Sequence, residues 1–315
     1  MATRKQLFLN FKGGTGKTSL SSNYAYRLAE MGHRVLVIDL DSQGHATKCL
    51  GFEGEDFPKT LLEVLVKRVP MKDVIQKTDI ENLSFVPSNL TMSTVDLALM
   101  PMAGREFKLK NALKEVEAHY DFIIFDAPPS FGLLNLNALI ATDDLIVPVL
   151  ADFLSFHGLK LLFETVQSLE EDLSHVLDHV FIVVNSFNQT FKLAKEALEA
   201  LKKHYPEYLM PQVIRQCTKF AQASSEGLPI FRFDRDFFRR NFFRFSNRFL
   251  GRRNGFFDGS LDLSIFGLRF RFTLSLGFRL GFAAFGGYGD RDRERHFAVE
   301  FDVDGVFAGF LDGVF

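Results

Sequence analysis

The chain has 315 residues, enough to bury one large hydrophobic core or two small ones. Its 39 acidic and 37 basic side chains leave a net charge of −2, which excludes a uniformly basic nucleic-acid binder but not a local basic patch. Two distant cysteines, Cys49 and Cys217, form no CxxC pair, so neither a disulfide framework nor a zinc site is expected and a reducing, cytoplasmic setting is.

The first apolar run, residues 7–11, reads as a short buried strand and leads straight into a glycine-rich turn over residues 12–18. The apolar stretch before that turn is too short for a signal peptide, and no segment has the roughly 18 apolar residues of a membrane helix. An amphipathic helix is expected over residues 19–31, followed by a second strand over residues 34–39 that ends in acid. Further apolar runs at residues 122–126, 145–150 and 180–184 each precede a helix-like stretch. These runs are uninterrupted rather than alternating, as in strands covered on both faces. Strand and helix in turn imply right-handed crossovers, hence an α/β fold: a mostly parallel twisted sheet with helices on both faces.

Near residue 230 the composition changes at a single point. More than half of the 37 phenylalanines follow it, no lysine occurs after Lys219, and no proline occurs after Pro229. Residues 231–249 have no helical or strand period, whereas residues 268–282 alternate strictly, a strand-like pattern. Three readings compete: an aromatic and arginine-rich interaction tail, a β-rich appendage, or an out-of-frame C-terminus. The third accounts for the abrupt change, so the expected organisation is an α/β domain over residues 1–230 and a Phe/Arg/Gly-rich tail over 231–315 that is not a native domain.

The turn Lys12-Gly13-Gly14-Thr15-Gly16-Lys17-Thr18 carries the chemistry. A glycine turn between a buried strand and a helix aims backbone N–H groups at one point, and the helix N-terminus favours an anion there. Glycines let phosphates approach the backbone. Lys17 supplies charge to the β- and γ-phosphates of ATP, and Thr18 places a hydroxyl for Mg²⁺, giving a P-loop NTPase-type site with Ser19 in the following turn. The strict motif would have glycine at position 11, where Phe11 stands, and Lys12 is an additional lysine.

This KGGTGKT pattern resembles the deviant Walker A loop of the ParA/MinD family of partition and positioning ATPases. The resemblance covers about residues 5–230. It implies that Lys12 acts in trans, reaching the partner's phosphates in an ATP-sandwich homodimer. Residues 39–44 resemble the family's DxDPQG segment, with Ser42 and His45 departing from it. Asp41 would then position the attacking water, and Asp39 would lie near the magnesium. Asp126-Ala127-Pro128-Pro129-Ser130 resembles the family's Walker B segment, where the carboxylate holds Mg²⁺. Asn185 stands where the family reads the adenine edge, although an asparagine after a strand also suits a plain turn. Lys219, with Arg215 nearby, stands where DNA-binding members carry a basic residue for non-specific DNA. Lys192, Lys195, Lys202 and Lys203 extend a basic face that Glu196 and Glu199 interrupt.

The function implied is a slow ATPase, stimulated by a ParB-like or other partner, that positions a chromosome, plasmid or protein cluster. The alternative is a nucleotide-dependent scaffold that does not bind DNA. A related iron-protein reductase is disfavoured, because Cys49 and Cys217 do not match shared-cluster placement. Membrane binding through a terminal amphipathic helix is disfavoured by the final run of residues 305–315, which is not basic.

Overall fold

The computed structural model describes residues 2–52 and 57–234, together with the backbone of three strands further on. The chain separates into two units, Met1–Arg235 and Asp236–Phe315. The first holds an eight-stranded sheet in the order β3-β4-β2-β5-β1-β6-β7-β8.

The central strands are β1 (Arg4–Phe8), β2 (Val35–Asp39), β5 (Phe122–Asp126), β6 (Asp144–Leu150) and β7 (His179–Phe187). All pair in parallel, and β2 and β5 are buried along their whole length. This is why their sequences read as unbroken apolar runs. Three strands carry too little pattern to be expected from sequence. Gln76–Lys77 (β3) has two residues and is the one antiparallel member, Leu83–Val86 (β4) has four, and Leu209–Arg215 (β8) is a half-exposed edge strand containing Pro211.

The first strand lies three residues earlier than expected, at Arg4–Phe8 instead of residues 7–11. Its polar start is explained by Asp144, which is fully buried and accepts hydrogen bonds from Arg4 Nε at 2.7 Å and Gln6 Nε2 at 3.0 Å. A second Arg4–Asp144 contact closes the pair, and Asp178 takes Arg4 Nη1 at 2.7 Å. Leu9 and Asn10 leave the sheet to open the loop, although Leu9 N still donates to Ile146 O at 3.1 Å.

Helices cover the sheet. In chain order they are α1 (Lys17–Glu30), α2 (His45–Cys49), α3 (Leu61–Lys67), α4 (Val95–Leu99), α5 (Lys108–Leu113), α6 (Leu133–Ala141), α7 (Leu154–Leu173), α8 (Lys192–His204), α9 (Lys219–Ser225) and α10 (Ile230–Phe233). The first begins two residues before its expected start, because the glycine loop passes directly into it. Leu7, Leu36, Ile38, Ile123, Phe125, Leu145, Val147 and Val149 form the fully buried centre of the core, against α6 residues such as Ala138 and Ile140. Among the described residues no helix is long and apolar enough to cross a membrane.

The second unit contains an antiparallel sheet of β9 (Asp262–Ile265), β10 (Leu268–Ser275) and β11 (Arg279–Phe285), in the order β11-β10-β9. The alternating run of residues 268–282 is therefore two paired strands. Residues 235–249 and 305–315, on which two sequence readings fall, lie outside the described residues.

Candidate nucleotide-binding site

The sheet order sets the site. With β1 between β5 and β6, the loop after β1 emerges at the carboxyl edge, beside the acidic ends of β2 and β5. In-register parallel pairing puts Asp39 directly opposite Asp126, and Asp126 also pairs with Phe8.

The loop holds itself open. Asn10 Nδ2 donates to Pro148 O at 2.7 Å, while its Oδ1 accepts Lys12 N at 2.9 Å. Gly16 has φ +92°, a left-handed conformation that L-residues avoid. A Cβ at this position would overlap the Asn185 amide. Asn185 Nδ2 donates to Thr15 O at 2.8 Å, so β7 braces the loop from the far side. In this structure the Asn185 amide is spent on the loop, a role that its position in sequence does not reveal.

Behind the loop lies a carboxylate clamp. Thr18 Oγ1 donates to Asp126 Oδ2 at 2.7 Å and Ser21 Oγ donates to Asp126 Oδ1 at 3.0 Å. Asp39 accepts Thr47 N at 2.9 Å, Thr47 Oγ1 at 2.8 Å and Asp41 N at 3.1 Å. Asp126 and Asp39 are both essentially inaccessible to solvent. Burial pushes the Asp39 carboxyl above the usual carboxylate range, and the charge of Asp126 adds to this, against the bonds from Thr47 and Asp41. Burial likewise raises Asp126, opposed by the Thr18 and Ser21 hydroxyls and by Lys17. Burial lowers the Lys17 ammonium pKa, with Asp126 and Asp41 pulling it back up.

Lys17 is buried, and among the described residues its Nζ has one hydrogen bond, to Lys12 O at 3.2 Å. Asp41 is buried too, and its Oδ1 accepts Gln43 N at 3.0 Å. Gly13 and Gly14 are exposed at the loop's crest, Thr15 is fully buried, and Ser19 is half-buried in the first turn of α1. Thr15 Oγ1 is buried without a hydrogen-bond partner among the described residues. These features suit a nucleotide and Mg²⁺: a glycine loop with open space beside Gly13 and Gly14, a buried ammonium, and hard oxygen donors from Thr18, Asp39 and Asp126.

Lys12 points elsewhere. Its ammonium lies 2.7 Å from Asp152 Oδ2, and Asp152 Oδ1 accepts Ser155 N and Oγ at 2.8 and 2.9 Å. Sequence reasoning missed Asn10, Ser21, Thr47, Asp152 and the bracing role of Asn185. Ser21 was the most accessible of these, lying three residues after Thr18 on the same face of α1.

The expected basic residues belong to β8, α8 and α9 rather than to the loop or the acidic strand ends. Arg215 is exposed at the end of β8, and Lys219 opens α9 with its ammonium paired to Asp234. On α8, Lys192 pairs with Glu196 at 3.5 Å and Lys202 with Glu199 at 2.9 Å, so the interleaved acids neutralise part of that face.

Residues 4–179 match the family model of an AAA domain. The chain is 82% identical over 228 residues to the cell division protein PomZ of Myxococcus xanthus, covering 72% of each chain. It is 31% identical over 225 residues to the chromosome partitioning protein ParA of the same organism, covering 71% of this chain and 80% of that one. Among solved structures it is similar to cobyrinic acid a,c-diamide synthase from Mycobacterium smegmatis with bound ATP analog and magnesium. That match has 27% identity and a TM-score of 0.65, covering 81% of this chain and all of that one. The in-register aspartates behind a glycine loop and these relatives lead to one conclusion: the chain is an ATPase belonging to the ParA/MinD family of partition ATPases.

Proposed function

We propose that the protein is an ATP-driven positioning switch: it closes as a homodimer around two ATP molecules, binds non-specific DNA in that state, and is released when a ParB-like or other partner stimulates hydrolysis. The observation that carries this reading is the buried Asp126 carboxylate, clamped by Thr18 and Ser21 and aligned with Asp39 below Lys17. Lys17 and the loop N–H groups of Gly13 to Thr18 hold the phosphates, and Thr18, Asp39 and Asp126 hold Mg²⁺. Bound there, Mg²⁺ would supply positive charge to offset that developing on the transferred phosphoryl group. Asp41 orients the attacking water, and a single oriented water without a further cation gives slow turnover. Lys12 leaves Asp152 and supplies that further cation to the partner's phosphates, as an arginine finger does. Arg215 and Lys219 contact DNA phosphates, and Asn185 exchanges its bond to Thr15 O for the adenine when ATP is bound. The protein works in the cytoplasm, on the nucleoid when DNA is bound, and its cargo is a chromosome, plasmid or protein cluster.

The test is light scattering with Mg·ATP. Wild type is expected to dimerise, while Lys12→Ala binds ATP but stays monomeric. A dimeric, fully active Lys12→Ala protein would sink the trans role. The competing reading, a positioning scaffold that does not bind DNA, is favoured by one observation: Asp234 already occupies the Lys219 ammonium. Binding to random duplex DNA at two salt concentrations decides between them. Salt-sensitive binding that Lys219→Glu abolishes supports the DNA-binding switch, and absence of binding by both proteins supports the scaffold.

We also propose that the Phe/Arg/Gly-rich tail is the product of a shifted reading frame. This rests on its composition and on 82% identity to a relative over only 72% of the chain. Sequencing the coding DNA around residue 230 tests it; an uninterrupted frame overturns it.

A further inference from the structure

Three donors converge on Asp39. Thr47 N at 2.9 Å and Thr47 Oγ1 at 2.8 Å both reach Oδ2, and Asp41 N reaches Oδ1 at 3.1 Å. Two of the three therefore belong to one residue, Thr47, which is itself buried in α2. A carboxylate has roughly four acceptor sites, two on each oxygen. Thr47 fills both sites of Oδ2, whereas Oδ1 accepts one bond and keeps a lone pair.

The Thr47 hydroxyl is oriented from behind. Ser88 N donates to Thr47 Oγ1 at 3.2 Å, and a hydroxyl has only one proton to give. With its oxygen accepting from Ser88, that proton points at Asp39. The result is a directed chain from the Ser88 N–H through the Thr47 O–H to the carboxylate. Hydrogen bonds in series polarise one another, and those that end on a charged group are the strong ones.

The chain crosses three elements that the fold seats against one another. Ser88 lies two residues beyond β4, whose Val86 pairs with Ile38, the neighbour of Asp39. Because β2 stands between β4 and β5, Ser88 and Asp126 come from strands on opposite sides of Asp39. Gly44 caps the start of α2 with φ +62°, and a Cβ there would come within 3.0 Å of Ser88 O. The start of α2 thus packs directly on the Ser88 backbone, which fixes Thr47 against both of its partners.

Asp126 is anchored separately, by Thr18 and Ser21 of α1. Two carboxylates on adjacent strand ends repel each other when both are charged. The bonds from Thr47 restrict the Asp39 rotamer and place positive bond dipoles behind it, offsetting that repulsion while no cation is bound.

We propose that Thr47 is a positioning residue for the magnesium site: aimed by the Ser88 N–H, it saturates Oδ2 of Asp39 and leaves Oδ1 as the oxygen offered to the cation or to its water. This role rests on the reading of Asp39 as a magnesium ligand.

The test compares wild type, Thr47→Val, Thr47→Ser and Asp39→Asn. Valine keeps the shape of threonine and removes the donor, while serine keeps the donor. Binding of N-methylanthraniloyl-ATP is followed by fluorescence, first in EDTA and then during titration with Mg²⁺. Thr47→Val is expected to bind the analogue normally in EDTA but to need at least about tenfold more Mg²⁺, while Thr47→Ser stays within about threefold of wild type. Without metal or nucleotide, amide exchange at Ser88 should accelerate in Thr47→Val and not in Thr47→Ser. Wild-type Mg²⁺ affinity in Thr47→Val, or equal weakening in Thr47→Val and Thr47→Ser, would overturn the positioning role. So would a loss of analogue binding in EDTA as large as that in Mg²⁺, because a general disturbance of the loop gives that result. If melts show that Thr47→Val does not fold, Thr47→Cys, a weaker donor, takes its place and is expected to need more Mg²⁺ than Thr47→Ser. Asp39→Asn separates the two ideas. Wild-type Mg²⁺ affinity in that variant would remove Asp39 from the metal site, and the role of Thr47 with it. A loss in Asp39→Asn without one in Thr47→Val would remove the positioning role alone.

Discussion

Lys12 Nζ lies 2.7 Å from Asp152 Oδ2, an ion pair that joins the nucleotide loop to the start of α7 with about a third of each side chain exposed. The cation that the switch reading sends to a partner's phosphate is therefore held by its own chain in the monomer. A pair this exposed is worth roughly 0.2–1 kcal/mol, little enough for a phosphate to displace.

Releasing that pair should favour the dimer. In Asp152→Asn the remaining amide oxygen can still accept from Ser155, while Lys12 loses its countercharge. The ATP-dependent dimer fraction is expected to rise, by up to about thirtyfold in the association constant, because each dimer releases two pairs of this strength. Sedimentation velocity with Mg·ATP measures it; a fall in association would show that Asp152 supports the dimer instead.

Asn185 separates two roles by nucleotide preference. If it braces the loop through Thr15 O, Asn185→Ala weakens ATP and GTP alike, by roughly three- to tenfold for one lost hydrogen bond. If it reads the adenine, the loss falls on ATP and spares GTP. Titration calorimetry with both nucleotides distinguishes these results.

Gly16→Ala should damage the loop more than any surface change. A left-handed backbone costs a non-glycine residue about 1–2 kcal/mol, and the new Cβ must also push the Asn185 amide aside. We expect a lower denaturation midpoint and loss of measurable ATP binding. Wild-type ATP affinity in this variant would contradict the cradle.

The paired carboxylates give a pH signature. Asp39 and Asp126 have folded pKa values raised above the ordinary carboxylate range of about 4. An acid raised on folding destabilises the native state once it is charged, so the penalty is absent below about pH 4 and grows as pH climbs through the raised values. These two groups should make the ligand-free protein less stable at pH 8 than at pH 6. Magnesium and ATP should narrow that difference, because a bound cation offsets the carboxylate charge. Thermal melts at the two pH values, with and without Mg·ATP, test the sign.

Much of the site could be read locally. The loop of residues 12–18, the acids at residues 39, 41 and 126, and the parallel α/β class follow from apolar runs, glycines and strand ends within a few residues of one another. Local pattern also located the change in composition near residue 230. It failed where strands were short, polar or at an edge: β1 began at Arg4 because Asp144 pays for its buried polar start, and Pro211 obscured β8.

The amino-acid sequence by itself determined which chemical groups the protein carries and in what order: a second lysine before the phosphate loop, a hydroxyl after it, and carboxylates at strand ends. Only the tertiary structure decided their company. Asp39 faces Asp126, Lys12 meets Asp152 and Asn185 braces Thr15 because the sheet sets its strands in the order β2-β5-β1-β6-β7, bringing together residues separated by 87, 140 and 170 positions. Hydrophobic periodicity specifies which face of a strand is buried, but not which strand lies next to it. That neighbour is chosen by packing and crossover handedness across the whole sheet.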